Sequence, residues 1–362
     1  MKIFSPLLYT ILFISTAQAQ SQNDKSLDPY GYVTKYDQKF NGVGPSVYIL
    51  PLPRTLGEEM IDSYKEIIPF QDSIYAGFQY ERLLTTFKPT SNYQIIQKIL
   101  PDTISDQDYN KLLLQYIEQK NHVIVYALYN YQGENLIHQD RKKEAINALT
   151  MALRYAHLAN KTEDIAIIQT NLASTYLFNN ENVEALNFEG LYLQHVQNTK
   201  DIASQAASQT RIALIQAYMK NYSTAENTII RKAIPLYNKS KDYDGKINAW
   251  TILAEIYRAQ NKHTEAQWFL IQARDLAKQH KLDDRLPMIE YMLGSSKLVQ
   301  TNYKVAKQEL EVAWKLAQES SNKYLQLAIA EQLGRTNVHL QNYENAKSYL
   351  NHYWNLRNTL FR

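Results

Sequence analysis

Beyond Pro101 the apolar residues fall at helical spacing almost without a break, and one detail of that pattern returns at a long, fixed interval. A small residue is followed twelve positions later by an alanine six times: Gly133/Ala145, Ala173/Ala185, Ala213/Ala225, Ala254/Ala266, Gly294/Ala306 and Gly334/Ala346. The first members are 40, 40, 41, 40 and 40 residues apart. Self-similarity at a fixed period of about 20 to 50 residues marks a solenoid. A leucine precedes the small residue at Leu172, Leu253, Leu293 and Leu333, and another follows the alanine by four at Leu149, Leu270, Leu310 and Leu350. The pattern predicts antiparallel helical hairpins, each with its small first-helix residue against the alanine of the second, because two helices approach closely only where facing side chains are small.

The chain before Pro101 has a different texture, with seven of the ten prolines and five of the ten glycines between residues 20 and 101. Leu56 to Ile68 and Ser73 to Phe87 still carry helical spacing, and each is stopped by a proline, Pro69 or Pro89. One period back from Gly133 and Ala145 lie Tyr93 and Ser105. A degenerate capping repeat is expected over 88–121, with unrelated helices as the alternative. At the start, Lys2, the apolar run Leu7 to Ile14 and Ala17-Gln18-Ala19 form the three-part pattern of a secretory signal peptide. The expected organisation is a signal peptide over 1–19, an irregular segment with short helices over 20–87, the capping repeat over 88–121 and six hairpins over 122–362. Export to the periplasm or medium follows from the leader.

The repeats resemble the tetratricopeptide repeat, whose pattern is Trp-x2-Leu-Gly-x2-Tyr on the first helix and Ala-x3-Phe on the second. The fourth copy reads Trp250-x2-Leu253-Ala254-x2-Tyr257, then Ala266-x3-Leu270; the sixth reads Leu333-Gly334, then Ala346-x3-Leu350. The period of 40 exceeds the family's usual value of about 34, and the family's boundary proline is missing. The twelve-residue spacing is kept, so the added length is expected after the second alanine, in longer second helices or longer connections. Long-period versions resemble repeats of bacterial regulatory and sensor proteins that bind peptides or partner domains.

The resemblance implies an all-α, right-handed α-solenoid whose first helices line a concave groove. In that register the inward positions are Asn130, Glu134, Thr170, Asn171, Ser174, Thr210, Arg211, Leu214, Thr251, Glu255, Tyr291, Ser295 and Arg335. Of the five Lys, Asn and Arg positions with which some members clamp a peptide carboxylate, Asn171 and Arg211 match, whereas Asn130, Glu134 and Ala207 do not. The matching pair suits a peptide chemically: an Asn amide bonds backbone groups and an Arg fork bonds a carboxylate. The alternative is that both merely solvate the groove.

Composition adds mainly exclusions. The 362 residues hold 39 basic and 36 acidic groups and no cysteine, which argues against a dedicated nucleic-acid binder and excludes thiolate chemistry. The eight histidines lack metal-site spacing and no phosphate-binding loop is present. No cofactor, metal or catalytic residue is expected. Glu163/Asp164 and Asp283/Asp284 sit in predicted turns, where carboxylates start helices. Among the 28 tyrosines, Tyr222, Tyr303 and Tyr343 recur before second helices and read as hairpin-closing rings.

Three functions are expected, in this order: a non-enzymatic protein- or peptide-binding scaffold of the cell envelope; a stand-alone or truncated sensory input module of a bacterial signalling system; and an enzyme with its site in residues 20–101. The last helix carries Tyr349, Leu350, Tyr353, Trp354, Leu356 and Leu360 with no helix after it. An oligomer contact, cover by the N-terminal region or a partner site are the three ways to shield that face.

Overall fold

The computed structural model describes residues 54–101, 104–319 and 322–361. The predicted leader and the first part of the irregular segment, residues 20–53, lie outside the described residues. All regular structure among the described residues is helical. Two helices come first, α1 (Leu56–Ile67) and α2 (Gln71–Thr86), then α3 (Tyr93–Ile99) and α4 (Asp106–Glu118). Six hairpins come after them: α5 (His122–His138) with α6 (Lys142–Leu158), α7 (Thr162–Phe178) with α8 (Asn182–Asn198), and α9 (Ile202–Tyr218) with α10 (Tyr222–Thr228) and α11 (Ile234–Ser240). The last three are α12 (Tyr243–Ala259) with α13 (His263–His280), α14 (Leu286–Val299) with α15 (Tyr303–Gln318), and α16 (Lys323–His339) with α17 (Tyr343–Leu360). This is an all-α helical-repeat superhelix.

From α4 onward the described junctions share one device. Asn121 N–H donates to Tyr116 O at 3.0 Å and Lys120 N–H to Ile117 O at 3.0 Å, around a left-handed Lys120 at φ 56°. Those are the two bonds of a Schellman motif, which satisfies carbonyls the helix end leaves open. The left-handed residue then recurs at Asp140, Asn160, Asn180, Lys200 and Lys220, and, one residue late, at Lys241, Asn261, Lys281 and Thr301. The structural module is therefore 20 residues, one helix and one turn. The late step falls in the third hairpin, where Ile229–Ala233 form a π-helical turn between α10 and α11. A wider turn absorbs one added residue without shifting the hairpin's ends.

The equal modules correct the expected placement of the extra length. In the first hairpin the connections are three residues long and α5 and α6 both have 17 residues. The addition is thus shared by both helices rather than held in the second helix or a loop. The close approach also differs in its partner. A Cβ at Gly133, Gly294 or Gly334 would lie 2.8 Å from Leu149 Cδ2, 2.6 Å from Leu310 Cγ or 2.5 Å from Leu350 Cδ2. The small residue makes room for the leucine four past the alanine, while Ala145, Ala306 and Ala346 are themselves fully buried.

Left-handed lysines are uncomfortable, since a Cβ in that region costs about 1–2 kcal/mol. Lys200 is exposed with φ 59°. Lys200→Gly is expected to stabilise the chain by about 0.5 kcal/mol, the strain relieved less the glycine's added unfolded-state freedom. Urea denaturation checks this; a lower midpoint would refute it.

An acid pair, one member buried, joins α14 and α15. Glu290 on α14 is 3% exposed beside Glu309 of α15, and Arg274 Nη1 of α13 stands 3.7 Å from Glu290 Oε2 and 3.9 Å from Glu309 Oε2. Burial, then the Glu309 carboxyl, pushes Glu290 up to about 7. The folded state therefore holds a proton that the unfolded chain releases near 4.5, and stability declines as pH rises between those values. Glu290→Gln is expected to flatten that decline and to raise stability at pH 8 by on the order of 2 kcal/mol. Thermal unfolding at pH 5 and pH 8 measures it, and equal pH slopes in both proteins would sink it.

Candidate functional site

The inner face of the solenoid is occupied by the chain's own N-terminal segment. α2 reads QDSIYAGFQYERLLTT and buries Ile74, Gly77 and Leu83 against the hairpins, while Asp72, Tyr75, Ala76 and Thr85 stay exposed. Tyr80 OH donates to His138 O at the end of α5 (3.3 Å), and the Tyr80 ring lies 6.2 Å from Phe178 of α7. Tyr75 OH donates to Tyr218 OH of α9 (3.0 Å), and Arg82 Nη2 to Glu255 Oε1 of α12 (2.6 Å). Phe78 packs 5.9 Å from the Tyr291 ring of α14, and Gln71 Nε2 donates to Glu331 Oε1 of α16 (3.1 Å). One helix of 16 residues thereby touches the first helix of all six hairpins.

The fit is close. A Cβ at Gly77 would lie 2.2 Å from Tyr324 Cδ1 on α16. Gly77→Ala would raise intrinsic helix propensity by about 1 kcal/mol, yet it is expected to loosen α2 by at least as much through this clash. Limited proteolysis between α1 and α3 reads the sign; slower cleavage than in the parent chain would overturn the expectation.

α1 and the start of α2 extend the cover to the end of the array. The Phe70 ring meets Trp354 edge-on at 6.1 Å, Arg357 stacks over Phe70 at 3.8 Å, and Arg357 Nη1 donates to Ser73 Oγ at 3.0 Å. A Cβ at Gly57 would lie 3.0 Å from the Tyr343 ring. The uncapped last helix expected from the sequence is corrected: Leu350 and Tyr353 are buried, and Tyr349, Trp354, Leu356 and Leu360 are half-buried. Of the three ways to shield that face, cover by N-terminal residues is the one seen.

After α2 the chain runs extended, from Phe87 at φ −65° and ψ 135°, ahead of Pro89. The inner face grips this piece by its backbone. Asn171 Oδ1 accepts from Lys88 N–H at 2.8 Å, and Asn171 Nδ2 donates to Lys88 O at 2.7 Å and to Asn130 Oδ1 at 3.0 Å. Asn130 Nδ2 reaches Lys88 O at 3.5 Å. One side-chain amide thus meets both hydrogen-bonding groups of one residue, which is independent of that residue's side chain. Lys88 Nζ donates to Tyr192 OH at 2.9 Å. Asp164, 2% exposed, then accepts from Ser91 N–H at 2.8 Å, from Ser91 Oγ at 2.6 Å and from Tyr126 OH.

The residues expected to line the groove divide into two sets. Asn130, Asn171, Ser174, Glu255, Tyr291 and Arg335 face the N-terminal segment: Thr86 Oγ1 donates to Ser174 Oγ at 3.4 Å, and the Arg335 guanidinium lies 5.9 Å from the Tyr64 ring. Glu134 is half-buried and its carboxyl is raised by burial. The others serve the hairpins. Thr251 Oγ1 donates to Ile247 O in its own helix, Leu214 is buried, and Ser295 Oγ accepts from Arg258 Nη2 at 2.6 Å. Thr210 Oγ1 donates to Ala206 O and lies 3.2 Å from Tyr237 OH.

Arg211 needs the plainest correction. It was expected to present a fork to a ligand carboxylate, but the fork is taken. Arg211 Nη2 lies 2.8 Å from Glu189 Oε1, and Nε donates to the same oxygen at 3.0 Å. Glu189, fully buried on α8, also accepts from Thr170 Oγ1 (3.0 Å) and Ser208 Oγ (2.6 Å). This is an internal tie between hairpins. Asp164 does lie in the first turn of α7, as expected of a helix-starting carboxylate, and beyond that it is buried and holds Ser91. Its inward position three residues into α7 was the available signal.

The groove-facing charges are unusually enclosed. Burial alone would lower the Arg82 guanidinium, and Glu255 with Tyr218 outweighs it. Burial raises the Glu331 carboxyl and lifts Tyr64 to about 12. Among the described residues no cluster of three His, Cys, Asp or Glu offers a metal site, and no helix is long and apolar enough to cross a membrane.

No protein-family model and no curated protein sequence matches the chain. Solved structures do. Aspartyl phosphate phosphatase F from Bacillus subtilis is similar at a TM-score of 0.55 and 11% identity, covering 87% of this chain and 96% of that one. A signal transduction ATPase with a tetratricopeptide repeat sensor from Pyrococcus horikoshii gives 0.54 and 12%, over 69% of this chain and 41% of that one. BtubC from P. vanneervenii gives 0.52 and 13%, over 60% and 92%. The fold is of the tetratricopeptide-repeat type. At these identities the likeness is one of fold, and the site must be judged by its own residues.

Proposed function

We propose that the protein is a non-enzymatic scaffold of the cell envelope that binds a polypeptide segment on the inner face of its solenoid. The observation that carries this reading is the Asn171 amide, which holds the N–H and C=O of an extended residue at once. Such a contact recognises chain rather than side chain, and with Asn130 and Asp164 beside it the inner face is built to hold extended polypeptide. Envelope location rests on the leader pattern at residues 1–19.

A second reading, sensory input for a signalling system, is supported by the long repeat period and by the fold shared with a signal-transduction ATPase that has a tetratricopeptide repeat sensor. It uses the same surface, and differs in that binding there would be passed on to an output domain or partner. The third reading, an enzyme in residues 20–101, rests on no motif in that stretch of sequence.

Affinity capture with residues 20–362 from envelope extract, read by mass spectrometry, tests the scaffold reading. Asn171→Ala is expected to change the captured set, whereas Trp268→Ala, at an exposed ring on α13, is not. An unchanged set with Asn171→Ala, or equal changes with both, removes the groove from the function.

A further inference from the structure

We propose that residues 56–92 are a tethered, displaceable occupant of this groove, and that the outside ligand is a partner's helix-then-extended segment of the same chemistry. That ligand presents an arginine to Glu255 and, six residues on, an extended residue to Asn171. This rests on the polypeptide-binding reading above and adds its ligand class and its control.

Three observations carry it. The segment makes the contacts of a docked ligand: a charge pair at Arg82–Glu255, backbone bonds at Asn171 and Asp164, hydroxyl bonds at Tyr218 and Ser174, and apolar seats for Met60, Ile67 and Ile74 against the hairpins. The hairpins, meanwhile, hold one another through their own buried alanines and leucines. Finally, the docked state is incompletely satisfied: Arg82 Nη1 of the segment and Arg335 Nε, whose guanidinium faces Tyr64, are buried without hydrogen-bond partners. Each such atom weakens the docked state relative to a segment that would pair it. What keeps the resident in place is its covalent link to α3, which raises its effective concentration and excludes weaker competitors.

The cysteine-free chain permits a clean test. Thr86→Cys with Ser174→Cys, at hydroxyls 3.4 Å apart, places one disulfide between occupant and groove. The probe is a fluorescein-labelled peptide with the sequence of residues 71–92, read by anisotropy. The reduced double variant is expected to bind it, oxidation to weaken binding at least about tenfold, and dithiothreitol to restore it. A second variant, Arg82→Glu in the full chain, breaks the resident charge pair without cysteines and is expected to bind the probe at least about tenfold tighter than the parent. A probe with Arg82→Glu should lose that affinity. Binding that ignores oxidation, or no binding by either the reduced or the Arg82→Glu chain, overturns the proposal. Those outcomes leave the capture experiment standing, since a groove with a permanent occupant could still lose its partner with Asn171→Ala; an unchanged captured set alongside switchable probe binding would instead sink the partner reading alone.

Discussion

Glu189→Ala is expected to cost about 3–5 kcal/mol, the usual penalty when one member of a buried ion pair is removed. The carboxylate is fully buried and serves three hairpin residues, Thr170, Ser208 and Arg211. Its loss strands the Arg211 guanidinium, whose side chain is only 16% exposed, and leaves two hydroxyls without their acceptor. Because α7, α8 and α9 all meet at this carboxylate, the damage should appear as early melting of the second and third hairpins, not as a uniform shift. Hydrogen exchange under increasing urea distinguishes the two. The double change Glu189→Leu with Arg211→Leu should recover most of the loss, since an apolar pair has no charge left to satisfy. A single-variant loss below about 1 kcal/mol would show that the pair is dispensable.

Asn171→Leu is expected to leave the hairpins folded and to free the N-terminal segment. Leucine has nearly the same size but removes both bonds to Lys88 and the bond to Asn130. Lys88 N–H is left unpaired and Lys88 O keeps only the long 3.5 Å bond from Asn130, at about 1–2 kcal/mol for each bond lost. A local cost of about 3 kcal/mol corresponds to on the order of 100-fold faster amide exchange in residues 82–92. Protection in α12 to α17 should be unchanged apart from the surface α2 covers. Parent-like exchange across residues 82–92 would show that the amide bonds add nothing to docking.

The hairpins were readable in the sequence for a simple reason. Close helix approach tolerates few residue types, so Gly133, Gly294, Gly334 and their alanines had to recur at a fixed spacing. The position of Asn171 was also readable, because the resemblance placed it on the inner face, where its amide meets the chain's own Lys88. Arg211 was misread because its partner, Glu189, lies on a second helix whose inward positions no periodicity marks. The self-occupied groove was invisible for a related reason. The helical spacing of α2 marks its buried Ile74, Gly77 and Leu83, but its other contacts are made by Tyr, Arg and Gln, whose partners no apolar pattern reports. Nothing local in Gln71 to Thr86 names partners as distant as Arg357, which lies 284 residues from Ser73.

The contact of α2 with the first helix of every hairpin has an architectural consequence. Repeat arrays ordinarily lengthen or shorten by whole modules, because each hairpin answers only to its neighbours. Here a rod of 16 residues, about 24 Å long at 1.5 Å per residue, spans the array and ends on it at both sides. Removing 40 residues would leave Arg82 or Gln71 facing the wrong hairpin, and adding 40 would leave one hairpin untouched. The N-terminal helix is a ruler, and it holds the count of this solenoid at six.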